Sequence, residues 1–502
     1  MRGSEVEKFG LSLIRSVSIL KKKTATKSVL KTQQKVGFLP LMTIVIGSAI
    51  GAGIFNLSKD MALGAAPGAV LISWGIVGVG IIALALCFQN LSDKRPELDS
   101  GIFQYAEDGF GKFAGFVSAW GYWLSIWLGN VAFATMLMSS LGFFFPIFKG
   151  GQNIPSIIGA SILLWLLNYL VAKGVENAAF INFVVTVCKL MPIFVFIVFA
   201  IMAFQTSIFT ADFWGTMTQQ FEFKDVMNQV KSTMLITIFV FVGIEGASIL
   251  SARARNKKDV GRATIIGVLC VLVVYMLVTI LSFGVMSQNQ LANLPEPAMA
   301  YVLEEIVGYW GAAFICGGLS ISILGVWLSW TILPAETGLI AAKQGVFPSI
   351  FGRINKHGAP AEALTITSMC IQLFMFTFLI TDQAYQFVAS LVSSVVIITY
   401  IFVTMYQVKF SYQQPKGRQR TIQLVIGLVA TAFQIWAFVS AGLKFMLLLT
   451  LLFVPGIFVY IKAQKEQHQR HFFSPIEKIV VALIFIGSLF AIYFLATGTI
   501  TI

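Results

Sequence analysis

Residues 43–57 read TIVIGSAIGAGIFNL, and how this stretch behaves decides the fold. It is apolar enough to enter a bilayer, yet Gly47, Gly51 and Gly53, with Ser48 among them, weaken a helix at its middle. A backbone opened inside hydrocarbon leaves N–H and C=O groups that each cost several kcal/mol if nothing satisfies them. A bound molecule is the usual remedy. Half-helix N-termini offer unpaired N–H groups and partial positive charge that suit a carboxylate, and unwound carbonyls suit an ammonium or a metal cation. Ser48–Gly53 therefore reads as the floor of a site for a small zwitterion.

The chain around it has no soluble composition. Aliphatic, aromatic and Cys residues make up 57% and charged residues 11%, with a mean hydropathy of +0.84. A crossing needs about 20 apolar residues for about 30 Å of hydrocarbon. Thirteen runs qualify, near residues 39–57, 68–91, 113–146, 154–172, 178–204, 231–250, 262–286, 309–342, 361–380, 384–409, 421–441, 443–463 and 476–497; they are called spans 1 to 13 below. The loops between them are too short for a second domain.

A net charge of +13 invites a nucleic-acid reading, which the distribution removes. The N-terminal arm and the even-to-odd loops hold 29 of the 35 Lys and Arg residues. That is the positive-inside pattern, with the N-terminus in the cytoplasm, and an odd number of spans puts the C-terminus outside. Cys87, Cys188, Cys270, Cys316 and Cys370 all fall in apolar runs with neither metal-ligand spacing nor an obvious disulfide partner. Residues 1–37 are basic and lack the apolar core of a signal peptide; Leu11–Leu20 fits a short amphipathic helix as well as a solvated arm.

A second interrupted element lies in span 6, where residues 239–250 read FVFVGIEGASIL. Gly243 and Gly246 flank Glu245, an acid that must be paired or neutral at this depth. Spans 1 and 6 are five crossings apart and so enter from opposite sides. Two broken helices in matching places of inverted halves point to a secondary transporter with a midplane site, spans 1–5 and 6–10 being the repeats. Three spans add polar features. Span 3 carries Trp120, Trp123 and Trp127 at helical spacing, with Tyr122, Ile126 and Asn130. Trp120 reads as packing, whereas the Asn130 amide needs a partner on another helix or on a ligand. Span 5 holds Lys189, about 15 Å from the nearest inner end at 1.5 Å per residue and so beyond snorkelling. Span 8 holds Trp327, Trp330, Pro334 and Glu336, the last a second candidate buried acid.

With these in view, the motifs GSAIGAGIF (47–55), SAWGYWLSIWLGN (118–130), FVGIEGASILSARA (241–254) and AKQGVFP (342–348) make the chain resemble the amino acid–polyamine–organocation transporters. Within them it is most similar to the basic amino acid/polyamine antiporters, especially arginine–ornithine exchangers. The resemblance covers roughly residues 36–462. It implies an all-α polytopic membrane protein with a LeuT-like fold of five-plus-five inverted repeats. The expected division is a basic arm (1–37), a transporter core (38–410) and additional C-terminal helices (411–502). By the same resemblance, the backbone of Ser48, Ala49, Gly51, Ala52 and Gly53 binds the α-carboxylate. Carbonyls around Ala49, with those of Phe239 and Gly243, hold the α-ammonium. The side chain lies among Phe239, Asn130, Ile126 and Trp330. Tyr122, Glu245, Trp330 and Tyr400 match gating positions, and Lys189 matches a position that in relatives replaces a bound sodium ion. Ala52 stands where one well-known arginine–agmatine exchanger has a serine, and Phe239 where arginine exchangers commonly have a tryptophan.

The resulting expectation is a sodium-independent antiporter of cationic amino acids, arginine against ornithine first, with arginine–agmatine exchange, lysine-type exchange and proton-coupled symport as alternatives. It needs no cofactor and no metal, and no enzyme motif or Gly-x-x-x-x-Gly-Lys-[Ser/Thr] nucleotide loop is present. Its partners are amino acid substrates and the lipid bilayer, not nucleic acid. Assembly into a homo-oligomer stays open.

Overall fold

The computed structural model describes residues 37–98, 102–174, 178–245, 257–379, 381 and 383–500. Helices account for the spans in the places the hydropathy puts them. Among the described residues, ten are unbroken and long and apolar enough to cross a membrane: Pro67–Lys94, Lys112–Phe144, Ile154–Ala172, Asp259–Val285, Tyr309–Lys343, Ala361–Leu379, Ala384–Gln413, Arg418–Ser440, Gly442–Glu466 and Pro475–Ala496. Span 5 is the helix Ala178–Ala203, with Pro192 inside it. The protein is therefore a multi-pass membrane protein.

The other two spans are the glycine-broken ones. Span 1 forms Phe38–Ala49, a short 3-10 turn Gly53–Phe55 and a second helix Leu57–Ala62. Span 6 enters as Met234–Phe239 and then turns at Gly243, whose φ of +108° is left-handed. Gly246 and the basic segment 251–256 lie outside the described residues, as do the N-terminal arm and its Leu11–Leu20 stretch.

Burial separates inner from outer helices. In span 3 the most apolar stretch is 94% buried, and it packs against spans 8 and 10; in span 13 the figure is 11%, and that helix lies on span 12. Ile479, Leu483, Leu489 and Phe490 of span 13 are exposed, as suits a lipid-facing helix. Trp120 does pack, with its ring 5.0 Å from that of Trp123 and its Nε1 donating to the Leu452 carbonyl at 3.1 Å. All five cysteines are free.

On the face that the loop charges assign to the cytoplasm, a short helix, Gln104–Phe110, docks against the end of span 10. Arg95 donates to Asp108 at 3.1 Å and to Tyr406 and Glu97, and Tyr406 donates to Asp108 at 2.7 Å. Burial pushes the Asp108 carboxyl upward, but the hydrogen bonds from Tyr406 and Arg95 outweigh it and hold the carboxyl below its ordinary value.

Candidate functional site

The helical ladder of span 1 ends when the Ile50 N–H reaches Ile46 O, and the next residues no longer continue it. Gly51 N–H turns back to Ala49 O at 2.8 Å. The N–H groups of Ala52, Gly53 and Ile54 donate to no described residue, so three successive donors stand open where the chain is fully buried. Such a run of amides is an anion receptor.

The two breaks touch. Ser48 donates its hydroxyl to Gly243 O at 2.8 Å. A side chain at residue 243 would sit 2.7 Å from the Ser48 carbonyl oxygen, so the left-handed turn and the close approach both require glycine there. Tyr275 of span 7 places one hydroxyl between Ala49 O (2.8 Å) and Val240 O (2.7 Å), sharing its single proton between the two breaks. Lys189, 2% exposed, donates to Gly47 O at 2.6 Å and Ile50 O at 2.9 Å. A fixed ammonium thus completes carbonyls that the unwinding leaves bare.

These contacts alter one expectation. The carbonyls assigned to the substrate ammonium already accept protein donors: Ala49 O from Gly51 and Tyr275, Phe239 O from Val242 N–H, and Gly243 O from Ser48. Ala49 O has both lone pairs occupied, and Phe239 O and Gly243 O each keep at most one for a ligand. The open polar atom is elsewhere, on Asn130, which donates its amide N–H groups to Ile126 O (3.1 Å) and Trp330 O (2.9 Å) while its Oδ1 accepts from no described residue. A buried acceptor with two lone pairs suits a substrate ammonium or guanidinium.

Aromatic rings pack around the break. Phe133 packs edge-on to Trp330 with centroids 5.0 Å apart, and a side chain at Gly51 would meet Phe133 at 3.4 Å. On the other flank, Phe239 and Val240 lie so near Gly53 that a methyl group there would come within 3.1 Å of the ring. Phe239 and Trp330 are each 7% exposed, so the site is shut from solvent. Ile126 is buried one turn before Asn130.

Glu245, 1% exposed, accepts the Gly243 N–H at 3.1 Å and the Tyr400 hydroxyl at 2.9 Å on the same oxygen. Tyr122 faces that carboxylate without a well-formed hydrogen bond. Three of the four residues expected at the gate, Tyr122, Glu245 and Tyr400, therefore meet on the span-6 break, whereas Trp330 packs against Phe133. Glu336 does not join them; it is half-buried and lines a separate cavity with His357 and Val171.

Tyr275 and Phe133 are not singled out by the sequence alone. A lone tyrosine in the run VLCVLVVYMLV (268–278) carries a usable signal, since a hydroxyl at that depth must find an acceptor. Phe133 carries none, being one phenylalanine among 45.

A family model described as amino acid permease matches residues 36–455. The chain is 51% identical over 472 residues to the arginine/ornithine antiporter of Latilactobacillus sakei, covering 94% of this chain and 99% of that one. It is 45% identical to the arginine/ornithine antiporter of Pseudomonas aeruginosa, with the same shares covered. It is 40% identical to the arginine/agmatine antiporter of Chlamydia caviae, over 93% of this chain and 98% of the other. Among solved structures, that of MhsT in complex with L-phenylalanine superposes with a TM-score of 0.58 at 14% identity, covering 80% of this chain and 98% of that one. The likeness is one of fold, the LeuT-like arrangement.

Proposed function

The chain belongs to the amino acid permease family, and from that premise we propose that it is an antiporter that exchanges arginine for ornithine across the cell membrane by alternating access. The observation that carries the reading is the pair of touching helix breaks with three open amides, together with the unpartnered Asn130 oxygen and the Trp330 ring, which Phe133 links to Gly51. The amides of Ala52, Gly53 and Ile54 hold the substrate carboxylate. Asn130 Oδ1 accepts from a cationic nitrogen, and the indole of Trp330 adds about 0.5–2 kcal/mol of cation–π attraction without a fixed counter-charge. Phe239 contributes the same interaction more weakly. Modest affinity of this kind suits an exchanger, because a cation clamped by a buried carboxylate leaves slowly.

Tyr122, Glu245 and Tyr400 form the latch that opens and closes the path, and Lys189 stands where a sodium ion would otherwise sit. The loop charges support a cytoplasmic N-terminus and an external C-terminus. Gradients of the two amino acids drive the cycle, with no catalytic step. The relatives with arginine/ornithine names support this pair over arginine–agmatine, which is the second reading because a 40% identical relative bears that name. The test is exchange in proteoliposomes: labelled arginine outside against single unlabelled amino acids inside. Internal ornithine should drive uptake, and Trp330→Ala should raise the KM for arginine by up to about thirtyfold. Equal uptake into liposomes with no internal amino acid would make the protein a uniporter or symporter.

A further inference from the structure

Between Phe239 and the external loops lies a polar cluster that the central site leaves unused. Asn56 donates its side-chain amide to Asp60 Oδ1 at 2.8 Å and to Glu296 Oε1 at 3.4 Å, and its own oxygen accepts the Ala298 N–H at 3.2 Å. One amide thus holds two carboxylates side by side. Lys59 lies 3.7 Å from Glu296, so that acid has a counter-charge within reach. Asp60 is 4% exposed, and its Oδ2 accepts no hydrogen bond from any described residue. A buried carboxylate oxygen with nothing on it is costly until a donor arrives.

Asp60 lines a cavity of about 740 Å³ with Lys231, Ser232, Gln386 and Lys444, a size within the range of roughly 300–1,000 Å³ usual for small-molecule sites. Neither lysine forms an ion pair among the described residues; Lys444 Nζ instead rests over the rings of Phe387 and Phe445 at 5.8 and 5.4 Å. One cavity therefore presents an unpartnered carboxyl oxygen at one place, with Lys59 as the nearest cation, and lysines without an ion pair at others. That pattern matches a molecule with a cationic group at one end and a carboxylate at the other. Tyr385, whose hydroxyl is also unpartnered among the described residues, lies in electrostatic range of Asp60 and Glu296 and packs edge-on to Phe239 at 6.0 Å. It touches Phe239 of the central break and lies near the two carboxyls.

We propose that the cavity is an outer subsite for a cationic amino acid, in which Asp60 takes the guanidinium or ammonium head and Lys231 and Lys444 take the α-carboxylate before the substrate passes Tyr385 and Phe239. The proposal rests on the reading that the exchanged amino acids are cationic.

The test is exchange in proteoliposomes with the full chain and external L-arginine, with agmatine, its decarboxylated form, as competitor. Asp60→Asn removes a charge-assisted bond and should raise the external KM about tenfold, leaving the saturated rate and the KM for internal ornithine within about twofold. Lys231→Gln with Lys444→Gln should raise the external KM for arginine about fivefold and leave competition by agmatine unchanged. An unaltered external KM in Asp60→Asn overturns the subsite while the exchanger reading stands. So does a double-lysine variant that shifts arginine and agmatine equally, or a wild-type protein that agmatine does not inhibit. A wild-type protein that exchanges no cationic amino acid defeats the functional reading and the subsite together. If Asp60→Asn fails to melt cooperatively, the double-lysine result decides alone.

Discussion

Gly243 shows how much one residue without a side chain carries. Its φ of +108°, and the 2.7 Å that would separate a methyl group there from the Ser48 carbonyl oxygen, leave no room for alanine. A non-glycine residue in that conformation costs about 1–3 kcal/mol before any clash. Gly243→Ala should therefore lower the melting temperature and abolish exchange. Gly47→Ala is the control: a side chain there meets nothing within 4 Å, so exchange should stay near wild type. Comparable loss in both variants would mean that helix propensity, not the contact between the breaks, is what the glycines serve. Glycine marks both breaks in the sequence. Which glycine is structurally obligatory is not marked there, since that depends on a carbonyl 195 positions away along the chain.

Between elements, the balance of hydrogen bonds explains both what is legible in the sequence and what is hidden. Positions of the spans are legible because twenty-residue apolar runs are a coarse signal that tertiary contacts do not override. Glu245 and Asn130 are legible because polar groups in hydrocarbon demand partners. The partners are not, because Lys189 and Tyr275 reach span 1 from spans 5 and 7 by packing alone. Those two residues, rather than the ligand, complete several of the bare carbonyls, which leaves the amides of 52–54 as the larger unmet demand. Tyr275→Phe should cost about 1–3 kcal/mol by stranding the buried Val240 carbonyl. It should slow turnover more than it raises KM, since the hydroxyl ties the two breaks together and touches no substrate. An increase in KM with an unchanged maximal rate would contradict that role.

The Arg95–Asp108–Tyr406 cluster, which ties the short helix Gln104–Phe110 to span 10, couples stability to pH. Asp108 has a folded-state pKa below its unfolded one, so its contribution is present above the unfolded value of about 3.9 and fades as pH falls through the lower folded value. Asp108 is more than a third exposed, so the effect is small. Melting between pH 6 and 8 should not change through this group, and Asp108→Asn should remove part of the loss seen on acidification below about pH 4. A wild-type curve and a variant curve that stay parallel down to pH 3 would show that the cluster contributes nothing to stability.

Across the whole molecule, one arrangement serves two demands. The inner helices bury the two touching breaks, and the outer ones, spans 11 to 13, present apolar faces outward. Lys189 supplies from within the protein the positive charge that opened carbonyls call for, so transport should not depend on an ion from outside. Uptake of arginine into ornithine-loaded proteoliposomes should be unchanged when sodium is replaced by choline. A collapse of uptake on replacement would mean that Lys189 does not stand in for the ion.

The proposed transport cycle depends on an amino acid completing the amides left open at 52–54. Hydrogen–deuterium exchange of the protein in lipid nanodiscs, with and without arginine, reads those amides directly. Exchange of the Ala52, Gly53 and Ile54 N–H groups is expected whenever the free protein opens the site, with marked slowing on arginine binding that requires more arginine in Trp330→Ala. Amides already protected without arginine, or equally fast with it, would contradict this binding role.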